Sequence, residues 1–453
     1  MGVIRGANQV RRGPPPANGP RRRLQFDIEE PVKKSELRYY YIIIFGFFIL
    51  FAESGVRTVM NTFVEPVEEA FNCTKAEADM AILTVPMSTS LLSGPLISIF
   101  YKRWGARIAI LTGSAFSFLG IALGPQCNSI YLLMACTFVF GLGCGLMRNS
   151  IISVQCEYFK KNSSRALGFI MIGPGIGIFI LPRILKFIDD SYGWAYSWYM
   201  IASFYVICAI MGCFVKKMPS DRGSFSLDCT YGMKIFKKAE FILYLLSVFL
   251  ASSVNYIYYA NILKLMGIEN IDDKEEVYSW QGIASVIGRV VTVFLIGTEW
   301  LHIGLMMCFA YITAQSALAA PFFCYSRISF RIQNFTAGFG IAFYQCCIAP
   351  FLVALVGPSQ LTYAYGYTNL INGIAIFVGV AITTGVYNQD EQEPNRYAFF
   401  VSVWMAMGAI ILSILSSAVL WRREKHKRKP SMKQMKHTPE LNALTFMTNA
   451  EST

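Results

Sequence analysis

Twelve apolar runs of about 20 residues dominate the chain, and each is long enough to cross a hydrocarbon core of about 30 Å as a helix. A backbone surrounded by lipid must satisfy its own hydrogen bonds, so such runs are read as helices. They fall near 39–64, 78–100, 107–126, 129–154, 166–188, 195–215, 240–264, 277–298, 302–322, 335–357, 363–387 and 397–421. The fifth, interrupted by "GPGIG", and the tenth, ending in "VGPSQ", are the least regular. Only 15% of the 453 residues are charged and 54% are hydrophobic, against about 25% charged in a soluble domain. The expectation is an all-α membrane protein.

The distribution of charge orients these helices. Positive residues concentrate on the cytosolic side of membrane proteins. Nine Lys and Arg precede residue 39 and eight follow residue 421, and others cluster in "YKRWGAR", "KKNSSR" and 216–239. The alternate loops are acidic: "EPVEEAFNCTKAEAD", "ENIDDKEEV" and "NQDEQEP". Both ends are therefore expected in the cytosol. Residues 1–38 lack the apolar core of a signal peptide, so the first span is expected to act as an uncleaved anchor. The net charge of +12 follows from this topology and from a basic rim facing anionic lipid; it implies no nucleic-acid partner.

The loop 216–239 divides the chain into 39–215 and 240–421, six spans each, between basic polar tails at 1–38 and 422–453. Twelve helices divided in this way suit a secondary transporter with its site between the halves. A channel or scaffold without internal symmetry is the blander alternative. The twelve cysteines include no CxxC or Cys/His ligand spacing, so neither a metal nor a cofactor is expected. The three histidines, His302, His426 and His437, lie at a helix end and in the tail. With no nucleophile–base pair or phosphate loop, an enzyme is not expected. Sequons at Asn72 and Asn334 fall in expected external loops, and one at Asn162 falls inside.

Between spans two and three, "GPLISIFYKRWGARIAILTGS" places Gly94, Arg103, Gly105 and Arg107 around a tight turn. This stretch resembles the loop signature of the major facilitator superfamily, except that Lys102 stands where an acid is usual. Three further stretches resemble the monocarboxylate transporter family, solute carrier family sixteen. They are "EYFKKNSSRALGFIMIGPGIG", "YGWAYSWYMIAS" and "LVGPSQLTYAYGYTNLINGIAIFVGVAITTGVYNQ". The resemblance covers about residues 39–421. It implies the major facilitator fold and alternating-access transport of a small organic acid across the plasma membrane, with or without a coupled proton. The need for an accessory membrane glycoprotein stays open. Alternatives are proton-independent transport of an amino acid or another zwitterionic or neutral solute, and a non-transporting sensor with the same fold.

Ionisable residues at membrane depth are the best functional clues, since each facing lipid would cost about 2.5–3.5 kcal/mol on insertion scales. Glu53 and Arg57 lie four apart in span one, Arg148 in span four and Arg289 in span eight. Arg183 and Lys264 lie near span ends, where long cationic side chains snorkel. The resemblance implies that Arg289 binds the substrate carboxylate, a role that suits a planar guanidinium fork. Where the family has an Asp four residues earlier, this chain has Ser285, and the family's span-one lysine is replaced at Thr58, beside Arg57.

Residues four apart share a helix face, so Glu53 and Arg57 are expected to pair. One reading is a plain structural salt bridge. The other is a relocated coupling pair, in which a substrate anion that drew Arg57 away would leave Glu53 free to take up a proton. Arg148 either closes a polar cluster with span one or adds positive potential for an anion. Asn255, Tyr256 and Tyr258 in span seven are candidate hydrogen-bonding groups in the cavity, or else packing and belt residues. Gly168, Gly173, Pro174, Gly175 and Gly177 in span five serve close packing or gating.

Overall fold

The computed structural model describes residues 40–159, 163–215, 234–271, 274–297, 301–357, 360–387 and 394–428. The tail 1–38, most of the linker 216–239, the C-terminal tail beyond 428, the sequon at Asn162 and the Lys264 side chain lie outside the described residues.

Span one comprises α1 (Tyr40–Val59), a 3₁₀ turn and α2 (Val64–Phe71), which ends where Asn72 takes the left-handed conformation. Span two is assembled from pieces: α3 (Lys75–Asp79), a π-helical turn (Met80–Thr84), α4 (Val85–Leu92) and the start of α5 (Gly94–Ala122). Pro86 and Pro95 supply the reason. Neither has an N–H, so the helical bonds to residues four back, at Ile82 and Leu91, cannot form. Inside α5 the backbone departs from helix at Gly105, with φ 82° and ψ 171°. This positive φ suits glycine and separates span two from span three. Eleven helices among the described residues are long and apolar enough to cross a membrane. The difference from the expected twelve lies here, where the two spans run together and the start of span two is broken into short segments.

Span four is α6 (Ile130–Tyr158), started by Ser129, whose side chain accepts from the Tyr131 amide. Span five is α7 (Ser163–Ile170) and α8 (Ile172–Tyr192), and span six is α9 (Trp194–Phe214). The interruption in span five was expected at "GPGIG" but lies at Met171, just before it. Pro174 has no amide to donate to the Ile170 carbonyl, so the break falls a turn upstream and "GPGIG" itself is helical.

The second half contains α10 (Ala239–Ile268), α11 (Lys274–Gly297), α12 (Ile303–Ala319), α13 (Arg327–Val356), α14 (Leu361–Tyr387) and α15 (Pro394–Arg428). Gly357, at φ 92°, terminates α13 as the "VGPSQ" sequence suggested. The described residues are thus all-helical, and their contacts fall into two groups on either side of the 216–239 linker. In the first, α1 lies along α8 and α5 along α6 and α9; in the second, α10 lies along α15, and α13 along α11 and α12.

Packing between the halves is concentrated at the ends assigned to the cytosol. There α14 crosses α4 and α5, while α11 and α13 pack against α7 and α8. Ser98 Oγ donates to the carbonyls of Gly94 and Thr362, both at 2.8 Å. Gly94 meets Gly366 backbone to backbone: a Cβ on Gly94 would lie 2.3 Å from the Gly366 oxygen. The outer elements α2 and α3 pack mainly within their own half, with Asp79 of α3 within electrostatic reach of Tyr256 in span seven. The halves are therefore shut at their inner ends.

Candidate functional site

Two clusters of charge occupy the interior. In the first, Glu53 accepts from the Nη2 atoms of both Arg57, one turn along α1, and Arg148, on α6. Its second oxygen accepts from Arg148 Nε at 3.3 Å and Ser54 Oγ at 3.3 Å. Glu53 is 2% exposed, whereas the Arg57 side chain is 33% exposed. A buried carboxylate needs charge partners and hydrogen bonds to offset its desolvation, and here both are supplied twice over. One carboxylate between two guanidiniums leaves a single net positive charge, carried on its accessible side by Arg57. The pair expected within α1 thus forms, and Arg148 closes the cluster with it.

This triad adjoins the contact between halves. Asn149, next to Arg148, accepts from Asn369 of α14 at 2.8 Å. Tyr365, one turn earlier on α14, lies within electrostatic reach of Arg148, Glu53 and Arg57. No feature of the sequence pattern marked Tyr365 or Asn369, since their roles come from partners more than 200 residues away.

The second cluster centres on Arg289 in α11. Its Nη1 donates to Ser285 Oγ and to the Ser285 carbonyl at 3.2 Å, and its Nη2 donates to Gln345 Oε1 on α13 at 2.8 Å. Its Nε is buried and unpartnered. Arg289 is 2% exposed, and among the described residues no carboxylate pairs with it. Gly175 of the first half faces it: a Cβ there would lie 3.2 Å from Arg289 Cδ. Arg289 therefore sits at the seam between the halves.

Span seven supplies a correction. Tyr258 is fully buried and its hydroxyl donates to Asn334 Oδ1 at 2.6 Å, inside the core of the second half. The neighbouring Tyr259 is 47% exposed, accepts from Gln281 Nε2 at 2.9 Å and lies within electrostatic reach of Arg289. One residue is a turn of about 100° around a helix, so Tyr259 takes the place expected of Tyr258. Asn255 is half-buried, its amide donating to the Ala251 carbonyl of its own helix at 2.9 Å. Tyr256 packs close to Gly379.

The sequon at Asn334, expected in an external loop, lies inside a helix instead. It is buried in α13 between Tyr258 and the Phe330 carbonyl. Asn72, by contrast, is exposed.

The span-five glycines divide between two faces. A Cβ at Gly173 would lie 2.4 Å from the Phe47 oxygen, and one at Gly177 would lie 2.2 Å from the Phe51 oxygen, so these two seat α8 on α1. Gly168 and Gly175, seven apart, face Val293 and Arg289 of α11. Pro174 between them is buried. In the turn after span two, Lys102 Nζ donates to Glu157 at 3.3 Å, Arg103 lies over Trp104 and Arg107 is exposed. Arg183 is exposed and donates to the Phe179 carbonyl at 2.6 Å. Among the described residues no group of three His, Cys, Asp or Glu could hold a metal ion.

The family model described as Major Facilitator Superfamily matches residues 44–380. Monocarboxylate transporter 2 of Mus musculus is 20% identical over 414 residues, 82% of this chain and 84% of that protein. Monocarboxylate transporter 9 of Mus musculus is 26% identical over 155 residues, 34% of this chain, and the match spans only 30% of that transporter's length. Human monocarboxylate transporter 1 is 25% identical over 158 residues, 35% of this chain and 31% of the relative. The crystal structure of the FucP transporter in the outward conformation superposes with a TM-score of 0.66 at 12% identity, covering 84% of this chain and 99% of that one.

Proposed function

Because the chain belongs to the major facilitator superfamily, we propose that it is a secondary transporter that moves a monocarboxylate across the plasma membrane by alternating access. The observation that carries this reading is Arg289, a buried guanidinium whose partners among the described residues are neutral oxygens of Ser285 and Gln345. An uncompensated buried cation is costly, and an incoming carboxylate lowers that cost while taking two parallel hydrogen bonds. The names of the relatives support a monocarboxylate as cargo. Arg57 adds positive potential on the route, and Asn255 is a neutral hydrogen-bonding group in span seven. The span-five glycines that face α11, Gly168 and Gly175, let the halves rock against each other. Both tails in the cytosol and an accessory membrane glycoprotein as partner belong to the same reading.

Uptake of radiolabelled carboxylates into proteoliposomes tests it. Arg289→Ala should reduce uptake by about 10- to 100-fold, the worth of a charge-assisted hydrogen-bond pair. Arg289→Lys should not restore it, because an ammonium lacks the fork. Uptake unaffected by Arg289→Ala would overturn the assignment.

A second reading, transport without a coupled proton, is favoured by Ser285. A hydroxyl beside Arg289 has no proton to exchange near neutral pH, and both oxygens of Glu53 are already engaged. Substrate-dependent acidification of the vesicle lumen separates the two: its presence in wild type and loss in Glu53→Gln assigns coupling to Glu53. A protein with no substrate-dependent flux at all would instead be a sensor of the same fold.

A further inference from the structure

Arg289 cannot receive a ligand in the arrangement described, because it is 2% exposed. Gln345, which satisfies its Nη2, is exposed. A glutamine bonded to a buried arginine at the seam between halves faces the space between them rather than lipid, where an unsatisfied amide would be costly. Gln345 thus stands between that space and the buried cation.

The donors of Arg289 are unequally engaged. Nη1 is held twice by Ser285, one turn back on the same helix, through the side chain and the carbonyl. That grip is local and short. Nη2 is held once, by a long side chain from a different helix, and Nε has no partner although it is buried. Nε and Nη2 together form the side-on fork of a guanidinium, an edge that matches the two oxygens of a carboxylate. Half of that fork is vacant and the other half is capped by one amide oxygen.

We propose that Gln345 is a specificity-determining shutter over the Nε–Nη2 fork of Arg289. In the empty protein its amide oxygen stands in for a substrate oxygen. The incoming carboxylate displaces it and takes both donors, while Ser285 keeps the guanidinium oriented through Nη1. The displaced amide then presents its own N–H groups to the ligand, which favours anions with a second acceptor beside the carboxylate, such as 2-oxo or 2-hydroxy acids. This rests on the reading of Arg289 as carboxylate anchor.

The test is the kinetics of radiolabelled pyruvate uptake into proteoliposomes of the full chain, with butyrate as the acid lacking a second acceptor. Gln345→Ala removes the competing oxygen, so KM for butyrate should fall by about 3- to 10-fold, the worth of one displaced hydrogen bond. The preference for pyruvate over butyrate should shrink with it. Gln345→Glu supplies a permanent internal carboxylate and should raise KM for both acids at least about tenfold, in protein that still elutes as a monodisperse peak. A merely structural brace gives a different result: Gln345→Ala would leave KM and the preference unchanged, or worsen KM for both acids alike, while Arg289→Ala abolished uptake. That outcome overturns the shutter alone. Wild type that moves neither acid, or uptake indifferent to Arg289→Ala, overturns the anchor and the shutter with it.

Discussion

Glu53 holds together two guanidiniums that would otherwise repel inside the first half. Breaking a buried ion pair by deleting one partner costs about 3–5 kcal/mol, because the other charge is left uncompensated. Glu53→Gln leaves two such charges, although the 33% exposure of Arg57 lets water screen one of them. The expected order of destabilisation in thermal unfolding is Glu53→Gln, then Arg148→Ala, then Arg57→Ala: either arginine deletion leaves a one-to-one pair, but Arg148 is the more buried partner and makes two of the bonds to Glu53. If Arg57→Ala proves the most damaging, the triad is not a structural unit centred on Glu53. The half of this cluster that was legible in the sequence is the half set by helix geometry: two opposite charges four apart must meet. Arg148 arrives from 95 residues away, and nothing local fixes its partner. Span seven shows a related limit. Its helix is apolar nearly all round, so hydropathy gives no phase: the sequence points to Tyr258, and Tyr259 on the adjoining face carries no signal of its own. Gln345 left no signal, because a lone glutamine in an apolar run reads as a tolerated polar residue until its partner is known.

At the scale of helices, proline and glycine account for where regular structure is interrupted and where it closes up. The apolar runs predicted the spans well, since their length is dictated by the bilayer. They did not predict the fragmentation of span two or the break at Met171, because those depend on which carbonyl loses its donor, and proline acts a turn upstream of itself. The two glycine faces of α8 predict opposite responses to a single methyl or isopropyl group. Gly177→Val would drive a side chain into the Phe51 carbonyl and should prevent α8 from seating on α1. A collapsed peak in fluorescence-detected size exclusion is the expected result, and a normal peak would refute this packing. Gly175→Ala meets only the Arg289 side chain and Val286, at 3.2–3.4 Å. It should fold and elute normally yet reduce uptake, because it crowds the anchor rather than the scaffold.

For the whole molecule, the sequence conveyed the two-half plan through its charge pattern, but not which end of the seam is shut. That is a property of packing between segments far apart in the chain, where Gly94 meets Gly366 and Ser98 bonds to Thr362. A double variant carrying Ser98→Cys and Thr362→Cys, with wild type and each single variant as controls, should cross-link readily in the absence of substrate. Cross-linking should diminish as transported anion is added and the inner ends separate. Equal yields with and without substrate would mean that this contact does not open during transport.

Closure at the inner ends also sets who can interfere with the protein. If the shut ends face the cytosol, as the charge pattern assigns them, a membrane-impermeant anion applied outside should reach the exposed edge of Arg57 and the Gln345 cover without entering the cell. A carboxylate with a substituent too bulky for the inner crossing would bind, fail to pass and hold the halves in place. Sensitivity to such a decoy would then differ between the two sides of the membrane, a one-sidedness that right-side-out and inverted vesicles measure directly.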